Sequence, residues 1–242
     1  MENMALVIDT NHRYSDVWAP CFGRLEKFFP KLIKKYIFVD IPSKDIPPDI
    51  KSIYYDDNET YRNQFLSCLQ QIEEDYILYS SEDYILYDHV QEYKLRYVVN
   101  ILEENSANFM KLIKGPEYVS RYRNYPDIFE INPADGNFFA QQASVWNTKD
   151  FKKVFEASPS TNGRMQQEPG GSNICRQIGI NKGLQYYSGE GKRGLLHYNS
   201  SIFPYIATAV VKGKWNISEY NDELQEIFQE YNIDASIRGY NA

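Results

Sequence analysis

The sequence predicts a soluble, single-domain α/β protein built around a mostly parallel, mixed central sheet flanked by helices. Two observations predict it. Short apolar runs with strand character alternate with segments of helical periodicity through the first 105 residues, the pattern of βαβ units. The 242-residue chain also carries 43% hydrophobic residues, enough to bury one substantial core, and no linker-like break divides it.

In chain order, residues 4–9 (MALVID) read as a buried strand ending in Asp9. A polar loop follows. The segment 17–29 then places Trp18, Phe22, Leu25 and Phe29 at helical spacing, with Pro20 expected in the first turn. Residues 34–40 form a second strand ending in Asp40, and 53–55 a third. A helix is expected over 58–74, a buried strand at 76–79, and a longer helix over 87–104. Beyond residue 105 the pattern becomes mixed and loop-rich. Strands are expected at 109–113, 127–131, 138–146, 184–187, 195–198 and 206–211, with helices at 148–156, near 171–179 and at 218–231. One domain, 1–242, is therefore expected, with the change of pattern dividing it into halves 1–105 and 106–242.

Composition excludes several classes. The net charge of −7 and the lack of a basic stripe argue against a nucleic-acid partner. Three widely spaced cysteines, Cys21, Cys68 and Cys175, support neither a disulfide framework nor a zinc site. No apolar run approaches the ~20 residues of a transmembrane helix, and the N-terminus lacks the basic and apolar regions of a signal peptide, so a cytoplasmic location is expected. Phosphate-loop motifs are absent. Gly189–Gly194 matches G-x-G-x-x-G literally, but strand-like residues follow it where a dinucleotide fingerprint would open a helix, so it reads as a hairpin turn or loop. No nucleophile motif of the G-x-S-x-G type occurs.

Ligands of open parallel sheets bind outside the carboxyl ends of the strands. Three such ends carry acid here: Asp9, Asp40 and the pair Glu82–Asp83. For Asp9 and Asp40, ordinary turn capping is an equally good reading. Adjacent carboxylates after the most apolar strand suit a hard divalent cation through oxygen, or the N-cap of a helix.

Several pieces, in order, resemble the GT-A class of glycosyltransferases, in particular poorly characterised bacterial and viral transferases of that class. They are Tyr14–Trp18 with Phe22, Asp75–Tyr79 leading to Glu82–Asp83–Tyr84, Gln141–Trp146, Glu168 within MQQEPGGS, and Ala209–Asn216. They run from residue 5 to about 239. The resemblance implies a nucleotide pocket formed by Thr10, Tyr14 and Asp40, a nucleotide-diphospho-sugar donor, and a glycan or other hydroxyl acceptor. Glu82–Asp83 stands where such enzymes carry D-x-D, a triplet this chain lacks. The resemblance thus leaves two arrangements open. A divalent cation (Mn or Mg) would sit on Glu82 and Asp83 with His197 as a late ligand, or basic side chains such as Arg62, Arg121, Arg123 or Arg164 would meet the diphosphate without metal. Glu168 is the candidate catalytic base of an inverting transfer, and Asp83 the runner-up. Trp146 is read as a core residue before a sugar platform. A non-catalytic nucleotide-sugar or glycan-binding relative is the alternative. A nucleotidyltransferase would bring a glycine-rich, basic phosphate loop near the N-terminus, which residues 9–18 lack.

Overall fold

In the computed structural model of the chain, nine strands form one sheet in the order β3-β2-β1-β4-β8-β5-β9-β7-β6. The structure describes residues 3–115, 117, 119–159, 164–193 and 197–241, and only the backbone of 164–169. The first half supplies β1 (Met4–Asp9), α1 (Ser15–Phe28), β2 (Lys34–Val39), β3 (Ile50–Tyr54), α2 (Tyr61–Leu69), β4 (Tyr76–Ser81) and α3 (Glu92–Asn105). The second supplies β5 (Phe109–Lys111), β6 (Val119–Arg121), β7 (Ile128–Ile131), β8 (Ser144–Asn147), α4 (Thr148–Ala157), α5 (Arg164–Gln177) and β9 (Gly183–Tyr186). Two small hairpins and a last helix complete it: β10 (Lys192–Arg193) with β11 (His197–Tyr198), β12 (Val210–Val211) with β13 (Lys214–Trp215), and α6 (Ile217–Glu230).

Strands β3, β2, β1 and β4 are parallel. β8 runs against both β4 and β5, β9 lies parallel to β5, β7 runs against β9, and β6 against β7. All strands except β8 and β7 therefore point the same way. The crossover β1–α1–β2 steps toward one edge, and β3–α2–β4 steps back toward the other. Right-handed crossovers then put α1 and α2 on opposite faces, and the reversal makes a crevice outside the carboxyl ends of β1 and β4.

β1 and β4 are apolar almost throughout because both faces are covered. On the α2 side, Phe65 stacks on Phe155 at 4.5 Å and meets Phe38, Tyr79 and Phe151 edge-on or tilted, joining α2, α4 and the sheet. Farther along, Trp146 stacks on Phe109 at 4.1 Å, with Phe139 and Phe151 against it.

The structure corrects several expectations. α1 begins at Ser15, so Pro20 lies in its second turn, where the ring removes a bond to the carbonyl of Asp16. The strand expected over 138–146 pairs only over Ser144–Asn147. The backbone of Phe138 instead closes a turn onto Asp135, and that of Phe139 donates to the Ser172 hydroxyl. The helix expected near 171–179 spans Arg164–Gln177 as α5, with Pro169, Gly170 and Gly171 inside it. Of the glycine-rich segment expected as a turn or loop, Gly189–Gly191 are loop, Lys192 and Arg193 form strand β10, and Gly194 lies outside the described residues.

Candidate nucleotide-binding crevice

The carboxyl ends of β1, β2 and β4 bring Asp9, Thr10, Asp40, Glu82 and Asp83 to one edge of the sheet. Thr10 continues β1, its N–H donating to the Phe38 carbonyl at 3.1 Å. Its hydroxyl accepts from the Trp18 indole at 2.9 Å and its carbonyl from the Tyr55 hydroxyl at 2.7 Å, which leaves Thr10 buried. Asp40 receives the backbone N–H of His12 at 2.8 Å and pairs with the His12 ring Nδ1. The loop 10–14 is thus tied to β2 by side-chain hydrogen bonds, and the short helical turn His12–Tyr14 delivers Tyr14 to the rim, half-buried.

Asp9 accepts from Tyr61 at 3.0 Å, and Tyr61 in turn accepts from Gln141 at 2.8 Å. Tyr84 donates to the Gln141 carbonyl, and Tyr205 to the Gln142 side chain at 2.8 Å. A polar chain of tyrosine hydroxyls therefore links β1, α2 and the loop before β8 beneath the crevice. Burial, then the Asp9 carboxylate, pushes the Tyr55 hydroxyl far above its ordinary pKa, so it acts here as a donor.

Glu82 and Asp83 are both buried, in the turn that ends β4. The N–H of Glu82 donates to the Asp9 carbonyl at 3.3 Å, and its carboxylate accepts from Ser81 at 3.0 Å. The carbonyl of Asp83 accepts from Ala209, anchoring the last third of the chain to this turn. Both carboxylates act on Cys21 of α1. Burial first, and then Glu82 and Asp83, hold that thiol well above its usual pKa.

A charge that the sequence did not single out also reaches the rim. Arg238, near the C-terminus, makes two 2.5 Å hydrogen bonds to Asp16 and lies over the rings of Tyr14 at 5.1 Å and Trp215 at 6.0 Å. Asp16 raises its pKa most, and Glu82 adds to that field. The chain reaches this point because Trp215 exchanges backbone hydrogen bonds with Gly239 and Asn241. No sequence signal marks Arg238, because its ion-pair partner Asp16 lies 222 residues away.

Other candidates fall elsewhere. His197 pairs through Nδ1 with Glu219 of α6 at 2.9 Å. Among the described residues no group of three or more His, Cys, Asp or Glu is arranged to hold a metal ion. Arg62 donates to the carbonyls of Phe155 and Glu156 and closes the end of α4, which occupies it. Arg121 sits on the edge strand β6, and Arg123 beside it covers the Tyr122 ring. Trp146 is core, as read. The side chains of Glu168 and Arg164 lie outside the described residues, although their backbone belongs to α5. A surface hollow of about 420 Å3 between β3 and α2, lined by Tyr54, Tyr55, Glu59, Asn63 and Ser67 among others, shares only Tyr55 with the crevice.

No protein-family model matches the chain, and no curated protein matches it in sequence. Solved structures do match in fold. S. aureus TarS 1-349 aligns over 98% of this chain and 68% of its own, with 10% identity and a TM-score of 0.52. The same segment of TarS in complex with UDP aligns over 97% of this chain and 66% of its own, at 10% identity and a TM-score of 0.53. The longer S. aureus TarS structure gives 0.53, and there the chain spans 41% of that protein's length. No described helix is long and apolar enough to cross a membrane. The chain has a GT-A-like fold, shared over nearly its whole length with TarS.

Proposed function

We propose that the chain is a glycosyltransferase that moves a sugar from a nucleotide-diphosphate donor to a hydroxyl acceptor, with inversion. The observation that carries this reading is the coincidence of two things. The fold is shared over 98% of this chain with TarS, which has a UDP-bound form. At the switch point of that fold stand two adjacent buried carboxylates, Glu82 and Asp83. Ligand sites of open α/β sheets lie at this point.

In this reading Tyr14 offers a ring face to the base, while Thr10 and Asp40 shape the pocket floor through Trp18 and His12. A buried all-oxygen pair whose field reaches Cys21 fits a hard divalent cation, with Glu82 and Asp83 as its holders. His197 would have to leave Glu219 to join them, so the cation rests on the two carboxylates. When bound, such an ion neutralises charge developing on a leaving diphosphate. Arg238, aimed at the same rim, supplies a fixed positive charge there. The acceptor oxygen forms the new bond to the anomeric carbon as the carbon–oxygen bond to the diphosphate breaks and its electron pair leaves with the nucleotide. The acceptor proton passes to a carboxylate. Glu168 is proposed for that role, with Asp83 second.

A thermal-shift series with nucleoside diphosphates and nucleotide sugars, with and without Mn2+, tests the reading. A ligand at a hundred times its Kd stabilises the fold by about 2.7 kcal/mol. A base-specific shift that grows with Mn2+ and is lost in Asp83→Ala supports it. A shift indifferent to metal retires Glu82 and Asp83 as cation holders. The absence of any nucleotide shift overturns the transferase reading. Nucleotide binding without turnover against hydroxyl acceptors points to the non-catalytic relative, which the existing Asp40–His12 and Thr10–Trp18 pairings also suit.

A further inference from the structure

A second cluster lies along the same strand edge, on the acceptor side of Glu82–Asp83. β5 and β9 point the same way as β1 and β4, so their carboxyl ends open on the same side. Just past those ends Lys114 sets its ammonium 4.6 Å from the ring centre of Tyr187 and 4.7 Å from that of Tyr198, and the two rings meet edge to face at 5.9 Å. Both tyrosines and Lys114 are half-exposed. Lys192 is exposed and lies directly opposite Tyr198 in the β10–β11 register, which puts the two side chains on one face of the hairpin. Among the described residues neither lysine has a carboxylate partner, although the chain as a whole is acidic.

The nearest acid of that loop, Glu190, is already engaged. Its oxygens accept from the Ser188 N–H, the Ser188 hydroxyl and the Ser201 hydroxyl. The segment after Tyr198 is held in place from both halves of the chain: Asn199 accepts from Tyr87 at 3.4 Å, and Ser200 donates to the Leu112 carbonyl at 2.6 Å.

We propose that Lys114, Lys192, Tyr187 and Tyr198 form an acceptor subsite for an anionic carbohydrate, the tyrosines packing against the sugar and the lysines meeting its carboxylate or phosphate. Tyrosine rings beside ammonium groups that have no carboxylate partner among the described residues suit that ligand better than a neutral glycan, which would offer them no counter-charge. The assignment of this cluster to an acceptor rests on the transferase reading, while its affinity for anionic sugar does not.

Calorimetry with the full chain tests it, using an oligogalacturonate, a phosphorylated manno-oligosaccharide and neutral maltopentaose. The two anionic sugars should bind in preference to the neutral one, and the tighter of them names the anionic group. Lys114→Gln should weaken anionic binding about tenfold, the loss of one charge-assisted contact. Lys192→Gln, an exposed change that leaves packing alone, should weaken it by a smaller factor and guards against a misfolded Lys114→Gln protein. The proposal is overturned if all three sugars bind alike, if none binds, or if both lysine variants bind as the parent does. A UDP thermal shift on the same samples keeps the two readings apart. Sugar binding without a nucleotide shift sinks the transferase and keeps the subsite, and a nucleotide shift without sugar binding does the reverse.

Discussion

Gly183 opens β9, between β5 and β7 in the middle of the acceptor half. A Cβ added there would lie 2.3 Å from Cζ of Phe109, 2.8 Å from its Cε1 and 2.9 Å from Cε2 of Phe138. Real carbon contacts sit at 3.5–4.0 Å, so one ring has to move by roughly an ångström. Neither can move freely. Phe109 and Phe138 are wholly buried, they meet edge-on at 5.1 Å, and Phe109 stacks on Trp146. Overpacking of this kind costs about 1–3 kcal/mol, offset by about 0.4–1 kcal/mol from the lower entropy of the unfolded chain. Gly183→Ala should therefore lose about 1–2 kcal/mol net and, at this size, lower Tm by roughly 2–8 °C. Gly23→Ala is the internal control. Its Cβ meets the Tyr231 hydroxyl at a nominal 2.4 Å, but Tyr231 is only partly buried and can swing aside. Alanine also favours the interior of α1 by up to about 1 kcal/mol. Differential scanning calorimetry of both variants decides the matter. A Gly183→Ala protein as stable as the parent, or a Gly23→Ala protein that loses more, would refute the claim that the rigidity of the neighbouring ring sets the cost.

Three further outcomes are expected. In the native protein all three thiols should resist Ellman's reagent at pH 8 and react on unfolding, because each is buried and burial pushes Cys68 and Cys175 up to about 12 and Cys21 well above its ordinary value. Burial alone would raise Glu190, but hydrogen bonds from Ser201 and Ser188 hold its pKa below the ordinary glutamate value. Its stabilising contribution is therefore present above the unfolded-state value of about 4.3 and lost as pH falls through the lower folded value. Melting curves of Glu190→Gln and parent should differ at pH 7 and converge in acid, and a gap that stays constant with pH would refute the assignment. Arg238→Gln should weaken UDP binding severalfold in a direct titration while changing Tm by only a few degrees, because its Asp16 partner is half-exposed and such pairs contribute about 1 kcal/mol or less. A large loss of stability with unchanged affinity would make Arg238 a structural strap only.

The first half of the fold was legible because its strands are buried on both faces. MALVID, KKYIFV and YILYSS carry a continuous apolar signal that no amphipathic helix imitates. The second half obscured it. β6 (VSR), β10 (KR) and β13 (KW) are two or three residues long and Trp215 is their one buried side chain, so neither apolar run nor alternation marks them. The run 138–146 misled because Phe138 and Phe139 are buried by packing against Trp146 and Phe109, not by a ladder. At the crevice, the strand-end rule located Asp9, Asp40 and Glu82–Asp83. It did not find Tyr55, Tyr61, Gln141 and Arg238, whose contacts with Thr10, Asp9, Tyr61 and Asp16 in turn span 45 to 222 positions and leave no local pattern.

The pairing of Asp40 with His12 shapes how a nucleotide would be recognised. With both Asp40 oxygens accepting from His12, the carboxylate orients the loop 10–14 and not a ligand directly. A base entering beside Tyr14 then has two courses. It displaces the imidazole and takes the Asp40 carboxylate as its acceptor, or it meets the other face of His12 while Asp40 fixes the ring's tautomer and orientation. His12→Ala distinguishes them, since it frees Asp40 and strengthens binding in the first course but removes the contact and weakens it in the second. An affinity that His12→Ala leaves unchanged would place the base away from this pair, on the Tyr14 and Arg238 side of the rim.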